Sequence, residues 1–281
     1  VILVRGEPGI GKTKLLAAIS APIISDPSVR GILLECSAYR VHTPFFPIVQ
    51  FLRHDILEVD AHTPEHELRQ AVQQMLDVHQ LDAKELLPML LAMISPERNQ
   101  VESELTNEKQ KELLMQALLS VLLAQHDHRP GFILVEDLHW ADPSTLELLE
   151  LFISQLSAER CMLLMTCRPT FKSSWTDYSV VSLLTINRLS DQQAMDVIAN
   201  IDADGLIDDK LAAAIIEKSD GVPLYLEEYS ASVLEAVAQG TSSADAILAI
   251  PNTLQELLSA RLHHLGAAKT LLHLGATIGR E

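Results

Sequence analysis

The sequence predicts an α/β fold: a parallel sheet covered by helices, followed by an all-helical part. Three observations carry that expectation. Five apolar runs of strand length recur, at residues 1–4, 31–35, 132–135, 162–166 and 180–185. Helical patterns, such as 113–123 and 146–156, lie between them. The strands read as continuous apolar runs rather than alternating ones, as they do when a parallel sheet is buried on both faces. After about Asn187 the strand pattern stops and only helical periodicity follows.

The first run, Val1 to Val4, is followed directly by Gly6, Glu7, Pro8, Gly9, Ile10, Gly11, Lys12 and Thr13. The pattern G-x-x-x-x-G-K-[ST], set between a strand and an amphipathic helix, is a phosphate-binding loop. A strand that feeds a glycine-rich turn into a helix brings several backbone N–H groups to one spot, and the helix N-terminus adds its positive end. Lys12 is expected to reach the β- and γ-phosphates and the Thr13 hydroxyl to ligate Mg²⁺. Lys14 closes the candidate loop.

The segment from about 45 to 107 reads as a helical insertion of two or three helices, punctuated by Pro64, Pro88 and Pro96, with no catalytic signature. The third run ends in two carboxylates: Phe132-Ile133-Leu134-Val135-Glu136-Asp137. Acids at the C-terminal edge of a buried strand stand where open α/β sheets bind ligands. One should hold Mg²⁺ through its water shell and the other activate the attacking water. The pattern leaves open which of Glu136 and Asp137 does which. The fourth run ends in Thr166-Cys167-Arg168-Pro169, and Arg168 is placed to contact a γ-phosphate or sense its loss.

In the helical part, periodic segments cover 191–201, 208–219, 223–238, 253–265 and 267–276. Ser190-Asp191 reads as an N-cap and Gly221 as a C-cap signal. The rigid turn Gly221-Val222-Pro223 can press an apolar edge on a purine ring. Residues 240–249 are the most linker-like stretch.

Composition bounds the remainder. With 281 residues, 48% of them hydrophobic, the chain can bury a substantial core, and its length suggests about two domains. A net charge of −17 argues against a nucleic-acid surface and against anionic lipid. Cys36, Cys161 and Cys167 read as core thiols of a reducing, cytoplasmic compartment. Cys161 and Cys167 share one strand and are too far apart to bridge. His126-Asp127-His128, His263-His264 and His273 have no ligand set around them. The chain opens inside a strand and Ile278 to Glu281 meet no stop signal, so a module of a longer polypeptide is expected.

Taken together, the loop, Glu136-Asp137-Leu138-His139-Trp140-Ala141-Asp142-Pro143, Thr-Cys-Arg-Pro, Asn187-Arg188-Leu189-Ser190 and Asp220 to Glu228 resemble the STAND-type AAA-related ATPase module, a P-loop NTPase. Similar modules occur in bacterial multidomain proteins with a class III adenylate/guanylate cyclase domain before them and tetratricopeptide repeats after them, and in LuxR-family regulators. Cys36 to Tyr39, the Trp175 loop, Ile250 to Gln255 and Ala260 to Leu262 tilt the resemblance toward the cyclase-associated branch.

The resemblance implies an ATPase domain over 1–187, a helical lid over 188–249 and the start of a winged-helix segment over 250–281. It implies ATP/ADP and Mg²⁺ as cofactors, with Gly6 to Lys14 and Pro223 around the nucleotide. Thr13, Glu136 and Asp137 would stand at the metal. Lys12, Glu136, Asp137 and Arg168 would serve the chemistry. Attached signalling and repeat domains are the implied partners, and nucleotide-dependent self-association is left open. A slowly hydrolysing switch is expected, with a nucleotide-locked scaffold and a LuxR-type module as alternatives.

Overall fold

A computed structural model describes residues 1–60, 62–97, 105–124, 129–156, 160–242, 245 and 274–275. The chain forms two compact units. The first holds the described residues of Val1–Glu7 and Lys12–Ile186, and the second holds Pro8–Gly11 and the described residues from Asn187 onward.

In the first unit all five expected strands form: β1 (Ile2–Arg5), β2 (Arg30–Glu35), β3 (Gly131–Glu136), β4 (Cys161–Cys167) and β5 (Ser182–Thr185). Every pairing is parallel and the order is β2-β3-β4-β1-β5. Alternation along the strands divides their side chains between two faces. Leu3, Ile32, Leu34, Ile133, Val135, Leu163 and Met165 share the larger core with the helical insertion. Val4, Phe132, Leu134 and Leu164 form a smaller core with Leu16 of α1 (Lys12–Ile24). The edge strand β5 differs from its reading as a buried run, since Leu183 and Leu184 are about half exposed.

The insertion contains α2 (Phe46–Phe51), a wide π-type turn (Leu52–Ile56), α3 (Glu65–Val78) and α4 (Ala83–Ile94). Pro64 caps the start of α3 as punctuation, but Pro88 lies inside α4. Its ring removes one helical donor, and the buried Leu86, Met89, Leu90 and Leu91 around it hold the helix by packing. Two further helices follow, α5 (Asn107–Ala124) before β3 and α6 (Pro143–Gln155) after it.

The second unit packs α7 (Asp191–Ile201), α8 (Asp209–Ser219) and α9 (Pro223–Ala238) around Ala194, Ile198, Leu211, Ile215, Leu226, Tyr229 and Val233. Ser190 is the N-cap of α7, as the sequence indicates, and it closes a capping box with Gln193. Helix α8 ends left-handed at Asp220 (φ 51°) and Gly221 (φ 67°). The Leu189 N–H donates to the Gly221 carbonyl at 2.8 Å, and Arg188 pairs with Asp220. Among the described residues no helix is long and apolar enough to cross a membrane. The readings at His126 to His128, 253–265, 267–276 and the winged-helix segment lie outside the described residues.

Candidate functional site

Strand order positions the site. Because β4 pairs with both β1 and β3, their C-terminal ends stand side by side. The ends of β1, β4 and β3 carry the loop, Arg168 and the two acids respectively. The Gly6 N–H donates to the Cys167 carbonyl at 3.2 Å, which stitches the base of the loop to β4.

Within the loop, Gly9 (φ +76°) and Gly11 (φ +94°) take conformations that side chains rarely adopt. A methyl group at Gly11 would meet no atom within 4 Å, so the space in front of it is open. Lys12 is 9% exposed, and its Nζ donates to the Gly6 and Glu7 carbonyls, both at 3.0 Å. Burial pushes its pKa down; the Asp137 carboxylate opposes that shift and the Arg168 charge adds to it. Lys14 is exposed on the first turn of α1.

The two acids have different surroundings. The Thr13 hydroxyl bonds to the Glu136 carboxylate. Burial raises the Glu136 pKa, the Thr13 bond works against the rise, and Glu35 and Asp137 add repulsion. Asp137 is left-handed (φ 54°), and its N–H donates to Thr166 Oγ1 at 2.8 Å. Its side chain is 46% exposed, and its Oδ1 lies 3.9 Å from Nδ1 of His139. So Glu136 faces the loop's hydroxyl, while Asp137 stands in the field of Lys12 and His139.

Around the acids the structure brings in residues that the sequence reading did not assign a role. Thr166 is the one hydroxyl residue in β4 (CMLLMTC), and that break in an apolar run is the signal that marks it. His139 is 8% exposed, with both ring nitrogens buried and unpartnered, and burial depresses its pKa. Trp140 lies beneath the Arg168 guanidinium. Asp142 is a buried structural acid. Cys36 is an inert thiol, its pKa pushed up to about 12 by burial and by Asp142 and Asp137. All three cysteines are free.

Pro223 is the first residue of α9 in the second unit. In the same unit the Leu224 N–H donates to the Gly9 carbonyl at 3.1 Å, and a side chain at Gly9 would press on Val222 and Leu224.

These residues fit a nucleotide with magnesium. The open space before Gly11 can take phosphate. Thr13 and Glu136 offer hard oxygen donors side by side. Among the described residues no three His, Cys, Asp or Glu side chains gather to hold a metal.

A family model, the AAA ATPase domain, matches residues 1–165. The chain belongs to the AAA ATPase domain family. Members are ATP-binding modules that use ATP/ADP and Mg²⁺. The chain is also 24% identical over 286 aligned positions to an uncharacterized protein of Rhizobium meliloti (strain 1021). The match covers 100% of this chain and 27% of that protein's length. The chain therefore spans about a quarter of the relative it matches.

Proposed function

We propose that this AAA ATPase module is a slow, Mg²⁺-dependent ATP-hydrolysing switch of the STAND type within a larger cytoplasmic signalling protein. The observation that carries the reading is the strand order, which sets the loop after β1, Arg168 after β4 and the two acids of β3 along one sheet edge. Glu136 and Thr13 would hold Mg²⁺. Bound ATP supplies the phosphoanhydride, and Mg²⁺ offsets its charge. Lys12 neutralises phosphate oxygens. Asp137, whose side chain is 46% exposed, accepts a proton from the attacking water at its carboxylate. Arg168 senses the γ-phosphate. Outputs of the cyclase-associated kind, or of the LuxR kind, would be read by domains attached to the module.

Two substitutions test this reading. Lys12→Ala should weaken nucleotide binding by about 10- to 100-fold, the worth of one charge-assisted contact. Asp137→Asn should leave binding intact and lower phosphate release by about 10²- to 10⁴-fold. Equilibrium binding and single-turnover phosphate release separate the two effects. Wild-type affinity in Lys12→Ala rejects the nucleotide site. A chain that binds ATP but releases no phosphate, with or without Asp137, is a nucleotide-locked scaffold instead.

A further inference from the structure

We propose that Trp140 is a positioning residue: its indole face is the platform that aims Arg168 at the γ-phosphate and so sets discrimination between ATP and ADP. The Arg168 guanidinium carbon lies 5.0 Å from the Trp140 ring centroid. That is within range of a cation–π contact, and Trp is the aromatic that makes the strongest such contact. An arginine side chain loses much rotamer freedom when fixed in one pose. A flat, pre-placed surface lowers that cost before any phosphate arrives.

The platform is itself fixed. Trp140 ends the 3₁₀ turn Leu138–Trp140 that follows β3, and its N–H donates to the Asp137 carbonyl at 2.8 Å. The buried Leu138 anchors the turn from below. The His139 ring packs on the indole at 4.8 Å between centroids, tilted by 44°. Two residues on, Asp142 caps α6 and holds the turn's far end. Arg168 follows β4, which pairs directly with β3. The turn after the acids and the arginine after β4 are thus neighbours by strand order. The same turn carries Asp137, so acid, platform and arginine share one rigid frame.

The inference rests on the reading of Arg168 as the γ-phosphate sensor, and the test separates failure of that reading from failure of the platform. The variants are Trp140→Phe, Trp140→Leu, Arg168→Ala and the double Trp140→Leu/Arg168→Ala. Leu keeps apolar bulk without a π face; Phe keeps a π face. The readouts are Kd for ATP and for ADP, measured separately with Mg²⁺, and the near-ultraviolet circular dichroism without nucleotide.

Arg168→Ala should lower ATP affinity about three- to tenfold and leave ADP affinity unchanged. Trp140→Leu should do the same, and the double variant should be no worse than Arg168→Ala alone. Trp140→Phe should recover most of the discrimination. In the nucleotide-free protein, Arg168→Ala should alter the tryptophan dichroism through Trp140. If Arg168→Ala leaves the ATP:ADP ratio untouched, the sensor reading is wrong. If Arg168→Ala lowers the ratio but Trp140→Leu does not, or if the two losses add in the double variant, the platform is wrong. Equal loss of ATP and ADP in both Trp140 variants would mark Trp140 as scaffold only, which also overturns the proposal.

Discussion

The carboxylate of Asp142 is 2% exposed and accepts four hydrogen bonds. Its Oδ1 takes the N–H groups of Phe45, Ser144 and Thr145 at 3.1, 3.0 and 3.0 Å, and its Oδ2 takes the Thr145 hydroxyl at 2.5 Å. It thus caps α6 and pins Phe45, which is itself left-handed at φ 56°. Asp142→Ala strands the buried N–H groups of Phe45 and Thr145 and the part-buried one of Ser144, and should cost about 3–5 kcal/mol by urea denaturation. A loss below about 1 kcal/mol would show that water replaces the cap freely. The sequence displays this acid only as part of a motif and does not separate it from the acids of the site. Both types are Asp or Glu after an apolar strand, and only burial and donor count distinguish them. His139 makes a second residue-scale prediction. Burial depresses its pKa, and the half-buried His79 shifts the same way. The unfolded chain therefore binds protons, near the ordinary histidine pKa of about 6.5, that the folded chain refuses. Stability present above that pH is lost as the pH falls through the window below it. His139→Gln should show a smaller fall in melting temperature between pH 7.5 and 5.5 than the wild type, and an equal fall would discount burial of this ring.

At the scale of elements, two left-handed glycines of the helical unit make a controlled pair. Gly205 has φ +68° and open space around it; Gly221 has φ +67°, and an added Cβ would lie 2.4 Å from the Leu189 carbonyl oxygen. Gly205→Ala should cost only the conformational term, about 1–2 kcal/mol. Gly221→Ala adds a clash with backbone and should cost clearly more, which thermal melts of the two variants will compare. Equal costs would mean that the Leu189 segment yields. Gly221 was legible as a helix-stop signal because glycine past a helix end has a local meaning. The inner strands β1, β3 and β4 were legible for a similar reason, since burial on both faces writes itself as an apolar run, whereas the edge strand β5 reads as apolar although its Leu183 and Leu184 are about half exposed. The order of the strands was not legible, because crossover connections leave no local trace. The order is what puts Arg168 beside the acids and over Trp140. Pro88 shows the reverse case: a local breaker signal, overridden in α4 by the packing of Leu86, Met89, Leu90 and Leu91.

At the scale of the whole molecule, net charge and ligand linkage pull in opposite directions. The chain carries −17, so on the proposed reading a polyphosphate would approach against the long-range field and be held by local groups such as Lys12 and Arg168. On the proposed reading Mg²⁺ would lower the charge of the incoming nucleotide, and Thr13 and Glu136 would be the residues that hold it. A ligand that binds only the native form stabilises it by about 2.7 kcal/mol at 100 times its Kd, or about 5–10 °C for a chain of this class. Differential scanning calorimetry with saturating Mg²⁺–ATP should therefore raise the transition of the unit that holds Lys12, and Lys12→Ala should abolish the rise. Leaving out Mg²⁺ should shrink it. Salt gives the discriminating measurement. From 0.01 to 0.15 M the screening length falls from about 30 to 8 Å, which weakens attraction in a basic nucleotide site but here also removes the repulsion from the distant acids. The Mg²⁺–ATP shift should consequently hold steady or grow over that range. A shift that collapses with salt would show that the basic residues near the loop outweigh the acidic surface, and that the net charge has no bearing on nucleotide capture.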